Sequence, residues 1–132
     1  MPVLHRTSLS QLLDRLRRAT PLDDDGLLRC RPCHRPVTHV RLRMDGARRH
    51  WHFINPHGFE FTLQRFHQAP GCDILGQPTQ ADSWFPGFGW QLALCEHCQE
   101  HLGWYFQQGE NRQFFGLIQN RLIHSSAAPR PR

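Results

Sequence analysis

Residues 90–98 read Trp-Gln-Leu-Ala-Leu-Cys-Glu-His-Cys, and they hold the two signals that decide the fold. Trp90, Leu92 and Leu94 alternate with Gln91 and Ala93, the two-residue repeat of a half-buried strand. The strand runs directly into a Cys-x-x-Cys knuckle, Cys95 and Cys98, and a second knuckle, Cys30-Arg31-Pro32-Cys33, lies upstream. Two residues between cysteines let a tight turn aim both sulfurs at one metal. Two such turns supply four soft thiolates, the donor set of a closed, tetrahedral structural zinc site. The 61 residues between Cys33 and Cys95 far exceed the ~15–20 of a short zinc ribbon. One Zn2+ per chain is therefore expected to clip together two distant hairpins. His34, His97 and His101 stand close enough to the knuckles to replace one thiolate. Redox use of the two motifs would call for a βαβ pattern, which the sequence lacks. Cys72, alone after Pro70-Gly71, reads as a small buried hydrophobe or as a free thiol.

Outward from this centre the strand period continues. Phe59, Phe61 and Leu63 alternate with Glu60, Thr62 and Gln64, and further strands are predicted over Val40 to Met44, His50 to Ile54, Leu102 to Gln107 and Phe114 to Ile118. Turn chemistry separates them at Asp45-Gly46, Asn55-Pro56-His57-Gly58, Pro70-Gly71, Pro86-Gly87 and Gly109. The expectation is an all-β domain of about six to eight short strands. Ahead of it, Ser8-Leu9-Ser10-Gln11 has capping-box spacing, and Leu9, Leu12, Leu13 and Leu16 recur at helical intervals. This predicts a short amphipathic helix, ended at Thr20-Pro21 and joined to the first knuckle by an acidic linker, Asp23-Asp24-Asp25-Gly26. The chain is thus divided into an N-terminal helix and linker (1–27), a zinc-binding domain (28–123) and a disordered tail (124–132).

At 132 residues and 15.5 kDa the chain has room for one ordinary domain. No apolar run approaches the ~20 residues of a membrane-spanning helix, and residues 1–19 lack the continuous apolar stretch of a secretory signal. A cytoplasmic location without membrane partners is expected, and five cysteines in a reducing compartment argue for metal rather than disulfides. All sixteen basic residues are arginines. Eleven fall in residues 1–50 against five acids, whereas residues 51–132 carry five against six. Four thiolates and one divalent ion would lower the formal charge of +5 to +3, which weakens the case for nucleic acid.

Seven aromatic residues, Trp84, Phe85, Phe88, Trp90, Trp104, Tyr105 and Phe106, crowd into twenty-three positions, with two tryptophans around the Pro/Gly turn of residues 83–90. Tryptophan buries a large area but needs a partner for its indole N–H. Several near exposed turns fit a cage for a small ligand as well as they fit a strand-rich core.

These residues carry a resemblance. The run Ser83 to Trp90, the knuckle Cys95 to Cys98, His101-Leu102-Gly103-Trp104-Tyr105-Phe106, Phe114-Phe115-Gly116-Leu117, Asn55-Pro56-His57-Gly58 and Cys30-Arg31-Pro32-Cys33 are similar, in order and spacing, to the thalidomide-binding (CULT) domain family of cereblon type. The likeness covers roughly residues 28–123. It implies a β-tent, two antiparallel sheets meeting at an angle and pinned by zinc, and recognition of cyclic imides. Natural ligands of that class would be cyclic imides at modified peptide C-termini or uridine-like rings.

The resemblance also assigns roles. The family's three cage tryptophans map onto Trp84, Trp90 and Trp104, with Phe106 closing the cage. Asn55 and Pro56 fall at the pocket mouth and Phe61 on its lining. Across Asp82-Ser83-Trp84, the backbone carbonyl at Asp82 would accept the imide N–H, the backbone N–H at Trp84 would donate to one imide oxygen, and an indole N–H to the other. Asp82 departs from the family, whose animal members carry His there; Phe88 replaces a Tyr and Gly89 an Ala. Animal members also join this domain to a Lon-like region that docks a ubiquitin ligase. With about twenty-nine residues ahead of Cys30, no ligase docking is expected here. The expected protein is not an enzyme. Two other classes stand beside this one: a methionine sulfoxide reductase B-like enzyme, a related zinc-pinned β fold, with Cys72 as nucleophile, and an Arg-rich nucleic-acid-binding zinc protein.

Overall fold

A computed structural model describes residues 24–46 and 48–124. The predicted helix through Leu9–Leu16 and the tail from Ser125 lie outside the described residues. Within them the chain forms nine strands: β1 (Leu27–Cys30), β2 (Pro36–His39), β3 (Trp51–Ile54), β4 (Glu60–Phe66), β5 (Cys72–Thr79), β6 (Gly89–Cys95), β7 (His101–Gln108), β8 (Arg112–Ile118) and β9 (Leu122–His124). They make two antiparallel sheets, a three-stranded one ordered β2-β1-β9 and a six-stranded one ordered β3-β4-β8-β7-β6-β5. No described helix is long and apolar enough to cross a membrane.

The principal core fills the space between the sheets, where Leu28, Val37, Phe66, Ala93, Leu102 and Leu117 are almost wholly buried. The other face of the large sheet is also covered, by Phe85, Phe106 and Phe114 with a shell of partly buried tryptophans. A bulge makes this two-sided packing possible. Ala93 pairs with Gly103 and Leu94 with His101, so Leu102 is the extra residue. The face switches there: Leu102 joins the inter-sheet core, whereas Trp104 and Phe106 point to the aromatic side. Gly103 is required at this point, because a Cβ would lie 2.1 Å from the Gly116 carbonyl oxygen.

Two strand expectations need correction. Val40–Met44 is not a strand: Val40–Leu42 is a 3-10 turn, started by His39 Nδ1 accepting from the Arg41 N–H at 3.0 Å, and Arg43 alone bridges to Phe66. In β6 the buried residues are Gly89, Ala93 and Cys95, not the Trp90, Leu92 and Leu94 face, since the sheet is covered on both sides. Strands β1, β2, β5 and β9 have no sequence signal of their own. β5 is an edge strand, mostly exposed and interrupted by Gly76 and Pro78, and its pairing with β6 shifts register between Leu75 and Thr79.

Candidate functional site

The two knuckles are local repeats of one another. In each, the N–H of the residue after the second cysteine returns to the carbonyl of the first: His34 to Cys30 at 2.7 Å and Gln99 to Cys95 at 2.8 Å. Both closing residues adopt left-handed backbone, φ 65° and 68°. Backbone N–H groups of Cys33 and Arg35 bond the sulfurs of Cys30 and Cys33, and those of His97 and Cys98 bond the sulfur of Cys95. One knuckle closes the β1–β2 hairpin and the other the β6–β7 hairpin, so the cluster joins the two sheets.

The four Sγ atoms lie within 4.8 Å of one another, with Cys30–Cys98 and Cys33–Cys95 separations of 3.6 Å. Those distances are far from the ~2.05 Å of a disulfide. A tetrahedral site with metal–sulfur bonds of ~2.3 Å has edges of ~3.8 Å. Burial pushes the Cys30 and Cys95 thiols up, so four thiolates need a cation between them. The cluster therefore fits a metal ion, and the metal-ligating group found among the described residues is made of cysteines alone. His34 and His97 are exposed and outside it.

Cys72 lies beside this centre, paired with Cys95 across β5 and β6. It keeps some accessible surface, yet burial, followed by the negative charge of Cys95, Asp73 and Glu96, pushes its thiol up. That is the reverse of what a nucleophilic thiolate needs.

On the aromatic side, a hollow of about 290 Å³ is lined by Asn55, Pro56, His57, Asp82, Trp84, Trp90, Trp104 and Phe106. The run that read equally as cage and core divides between the two. Phe85 turns inward onto Phe106 and Phe114, at 4.9 and 5.0 Å, while Trp84, Trp90 and Trp104 stay partly buried around the hollow. Trp84 and Trp104 meet edge to face at 4.9 Å and 75°, forming a corner. Each has a buttress: Phe53 stacks flat on Trp84 at 4.8 Å and 4°, and His101 abuts Trp104 at 4.8 Å and 85°.

Of the expected lining residues, Phe61 and Ser83 do not line this hollow. Phe61 is instead behind it, packed on Trp104 at 5.2 Å and Trp84 at 5.9 Å. Ser83 Oγ donates to the Phe85 carbonyl and accepts the Phe85 N–H, which shapes the loop. His57, Phe53 and His101 were not anticipated as parts of the site. His57 had a signal, the Asn-Pro-His-Gly turn, whose Asn55 Oδ1 accepts the N–H of both His57 and Phe59 at 2.9 Å.

Hydrogen bonding in the 81–84 loop leaves a defined set of free edges. Trp90 Nε1 donates to the Ala81 carbonyl at 2.8 Å, tying the loop to β6. Asp82 then takes a left-handed backbone, φ 57°, which Asp tolerates better than most residues. Among the described residues, the Asp82 carbonyl, the Trp84 backbone N–H and the indole N–H groups of Trp84 and Trp104 carry no protein hydrogen bond. The backbone thus offers one acceptor, the Asp82 carbonyl, and backbone and indole donors around apolar walls, with the Asp82 carboxylate at the lining.

No family model matches this chain. Curated relatives do. The chain is 32% identical over 75 residues to protein cereblon of Danio rerio, which covers 54% of the chain, and 34% identical over 74 residues to that of Xenopus tropicalis, covering 53%. Protein cereblon of Drosophila erecta is 30% identical over 102 residues, 71% of the chain. In each case the match spans 17% of the relative's own length.

Proposed function

Taking the chain as a cereblon-like domain, we propose that it is a non-catalytic binding module. Its hollow takes a small, uncharged cyclic imide, either free as a glutarimide-type ring or at a modified peptide C-terminus. One observation carries the reading: a corner of indole faces closed by Phe106, with unpaired backbone groups of Asp82 and Trp84 on one side. The walls remove ring methylenes from water, worth ~25 cal/mol per Å² of apolar area. The Asp82 carbonyl would accept the imide N–H and the Trp84 N–H would donate to a flanking oxygen. Trp90 has spent its indole N–H on Ala81, so an indole bond to the second oxygen falls to Trp84 or Trp104. Each bond contributes ~0.5–1.5 kcal/mol net, whereas leaving a buried partner unpaired costs ~1–3 kcal/mol, so the edge selects more than it strengthens. A uracil ring offers the same carbonyl, N–H, carbonyl edge.

Zn2+ held by Cys30, Cys33, Cys95 and Cys98 is proposed as the resident metal. Its contribution is structural: four thiolates close the coordination sphere and leave no open position for substrate. A cytoplasmic, reducing setting would keep those thiols available. Cys72 is not proposed as a nucleophile, and the arginine-rich front of the chain is not proposed as a nucleic-acid surface. The reading is confined to ligand recognition.

The test is a titration of the zinc-loaded protein with glutarimide and with N-methylglutarimide, followed by tryptophan fluorescence and calorimetry. Saturable binding of the first and at least tenfold weaker binding of the second is expected. Equal binding of both would remove the imide-edge assignment, and binding of neither in a folded protein would remove the ligand class.

A further inference from the structure

A second, larger cavity of about 600 Å³ opens along the seam between the two sheets. Its walls come from β1 and β9 of the small sheet, β4 of the large sheet, and the segment after β8. Three arginines, Arg31, Arg43 and Arg121, face it against one carboxylate, Glu60, with His52 and Phe61 on the large-sheet wall. We propose that this seam is an anion site that takes a phosphate-bearing small molecule of nucleotide size.

The arginines are arranged before any ligand arrives. Arg31 Nε donates to the Asn120 carbonyl at 2.8 Å, and Arg121 Nη1 donates to the His101 carbonyl at 2.7 Å. Each bond uses one of five guanidinium N–H groups and fixes the plane of the rest. Among the described residues, none of the three pairs with a carboxylate. Arg43 carries the clearest sign: its Nε is buried and has no hydrogen-bond partner. A buried donor of this kind is normally satisfied by water, an ion or a ligand. Burial, and then the charge of Arg49, also make its positive form harder to hold. An anion in the seam would relieve both.

The rest of the lining selects the class. Several guanidiniums on opposite walls suit an anion with oxygens in more than one direction, as phosphate has. The Arg121 guanidinium lies over the Phe61 ring at 5.9 Å, which holds it toward the seam, and the volume lies within the range of nucleotide-sized ligands. A cavity of about 600 Å³ takes one small ligand, whereas a nucleic-acid backbone requires a broad basic stripe. Phe61 is shared with the hollow, since its far side packs on Trp84 and Trp104. Occupancy of the seam should therefore change tryptophan emission without any imide present.

The experiment uses the zinc-loaded full chain, titrated by calorimetry with inorganic pyrophosphate and with ADP at constant ionic strength, alongside thermal melting. Saturable binding and a raised melting temperature are expected for both probes, with ADP the tighter if the cavity also takes its nucleoside. Arg43→Met should raise the melting temperature of the ligand-free protein, by removing a buried, unpartnered Nε donor from a partly buried side chain, yet weaken pyrophosphate binding roughly tenfold or more. Arg121→Gln should weaken it similarly. Arg112→Gln, outside the seam, should leave it unchanged. Should Arg43→Met fail to fold, Arg121→Gln against Arg112→Gln decides the matter. The proposal is overturned if neither probe saturates, or if Arg112→Gln weakens binding as much as Arg121→Gln. Glutarimide affinity measured on the same variants keeps this result separate from the imide reading.

Discussion

Replacing Trp104 by Ala separates a wall of the binding hollow from a pillar of the fold. The ring makes three aromatic contacts, with Trp84 at 4.9 Å, Phe61 at 5.2 Å and His101 at 4.8 Å. Aromatic pairs contribute ~0.5–1.5 kcal/mol each beyond area, and full burial of Trp makes truncation cost ~3–5 kcal/mol. Trp104 is only partly buried and one side of it faces the hollow, so about 2–3 kcal/mol is expected. The inter-sheet core and the buried members of the Phe85–Phe106–Phe114 cluster, against whose edge Trp104 packs, all remain, and the four-cysteine cluster still joins the sheets. The variant should therefore remain folded, with a lowered urea midpoint and an unchanged m-value. Its loss of glutarimide affinity should be much larger than that of Phe53→Ala, because Phe53 supports Trp84 from behind without lining the hollow. Losing a wall worth about 2 kcal/mol weakens binding ~30-fold. A folded Trp104→Ala protein that binds glutarimide as the parent does would refute the assignment, and a variant that cannot fold would return the ring to the core.

Three other outcomes follow from the same geometry. Chelation, or Cys95→Ser, should unfold the domain: structural zinc contributes ~10–16 kcal/mol in apparent binding, which matches or exceeds the ~5–15 kcal/mol stability of a typical domain; a retained β-type circular dichroism spectrum and melting temperature after verified metal removal would contradict this. Asp82→Asn removes a negative charge beside the proposed imide oxygens while keeping a residue that tolerates φ 57°, so glutarimide affinity should rise a few-fold by calorimetry, and a fall would show that the carboxylate assists. Burial, aided by the charge of Arg121, holds the His101 imidazole below its ordinary range despite the bond to the Gly103 carbonyl. Its neutral form is the folded one, so the unfolded chain takes up the proton first: stability is complete above about pH 6.5 and declines as pH falls below it. Melting temperature between pH 7.5 and 5.5, with metal content monitored, should show that slope, and His101→Gln should flatten it.

The zinc-type knuckles were legible in the sequence because coordination chemistry is written in spacing: two residues between cysteines set the turn, and only cysteines converge. The strands β3, β4, β6, β7 and β8 and the turns between them were legible for the same reason, that their signals are local. What the sequence by itself determined was thus an all-β domain, two metal knuckles and an aromatic-rich second half. Tertiary structure decided the rest. Whether Trp90 or Ala93 enters the core depends on what covers each face of the sheet, and a strand's own two-residue period cannot say that when both faces are covered. The bulge at Leu102 that turns Trp104 and Phe106 toward the hollow arises from pairing with β6. Phe61 lies behind the cage rather than in it because β4 is joined to β7 only through β8. The seam with its three arginines exists only once residues as far apart as Arg31, Arg43 and Arg121 are brought together by sheet pairing. Local chemistry is carried by neighbours in the chain, whereas a cavity is made by residues that meet only when the sheets close on one another.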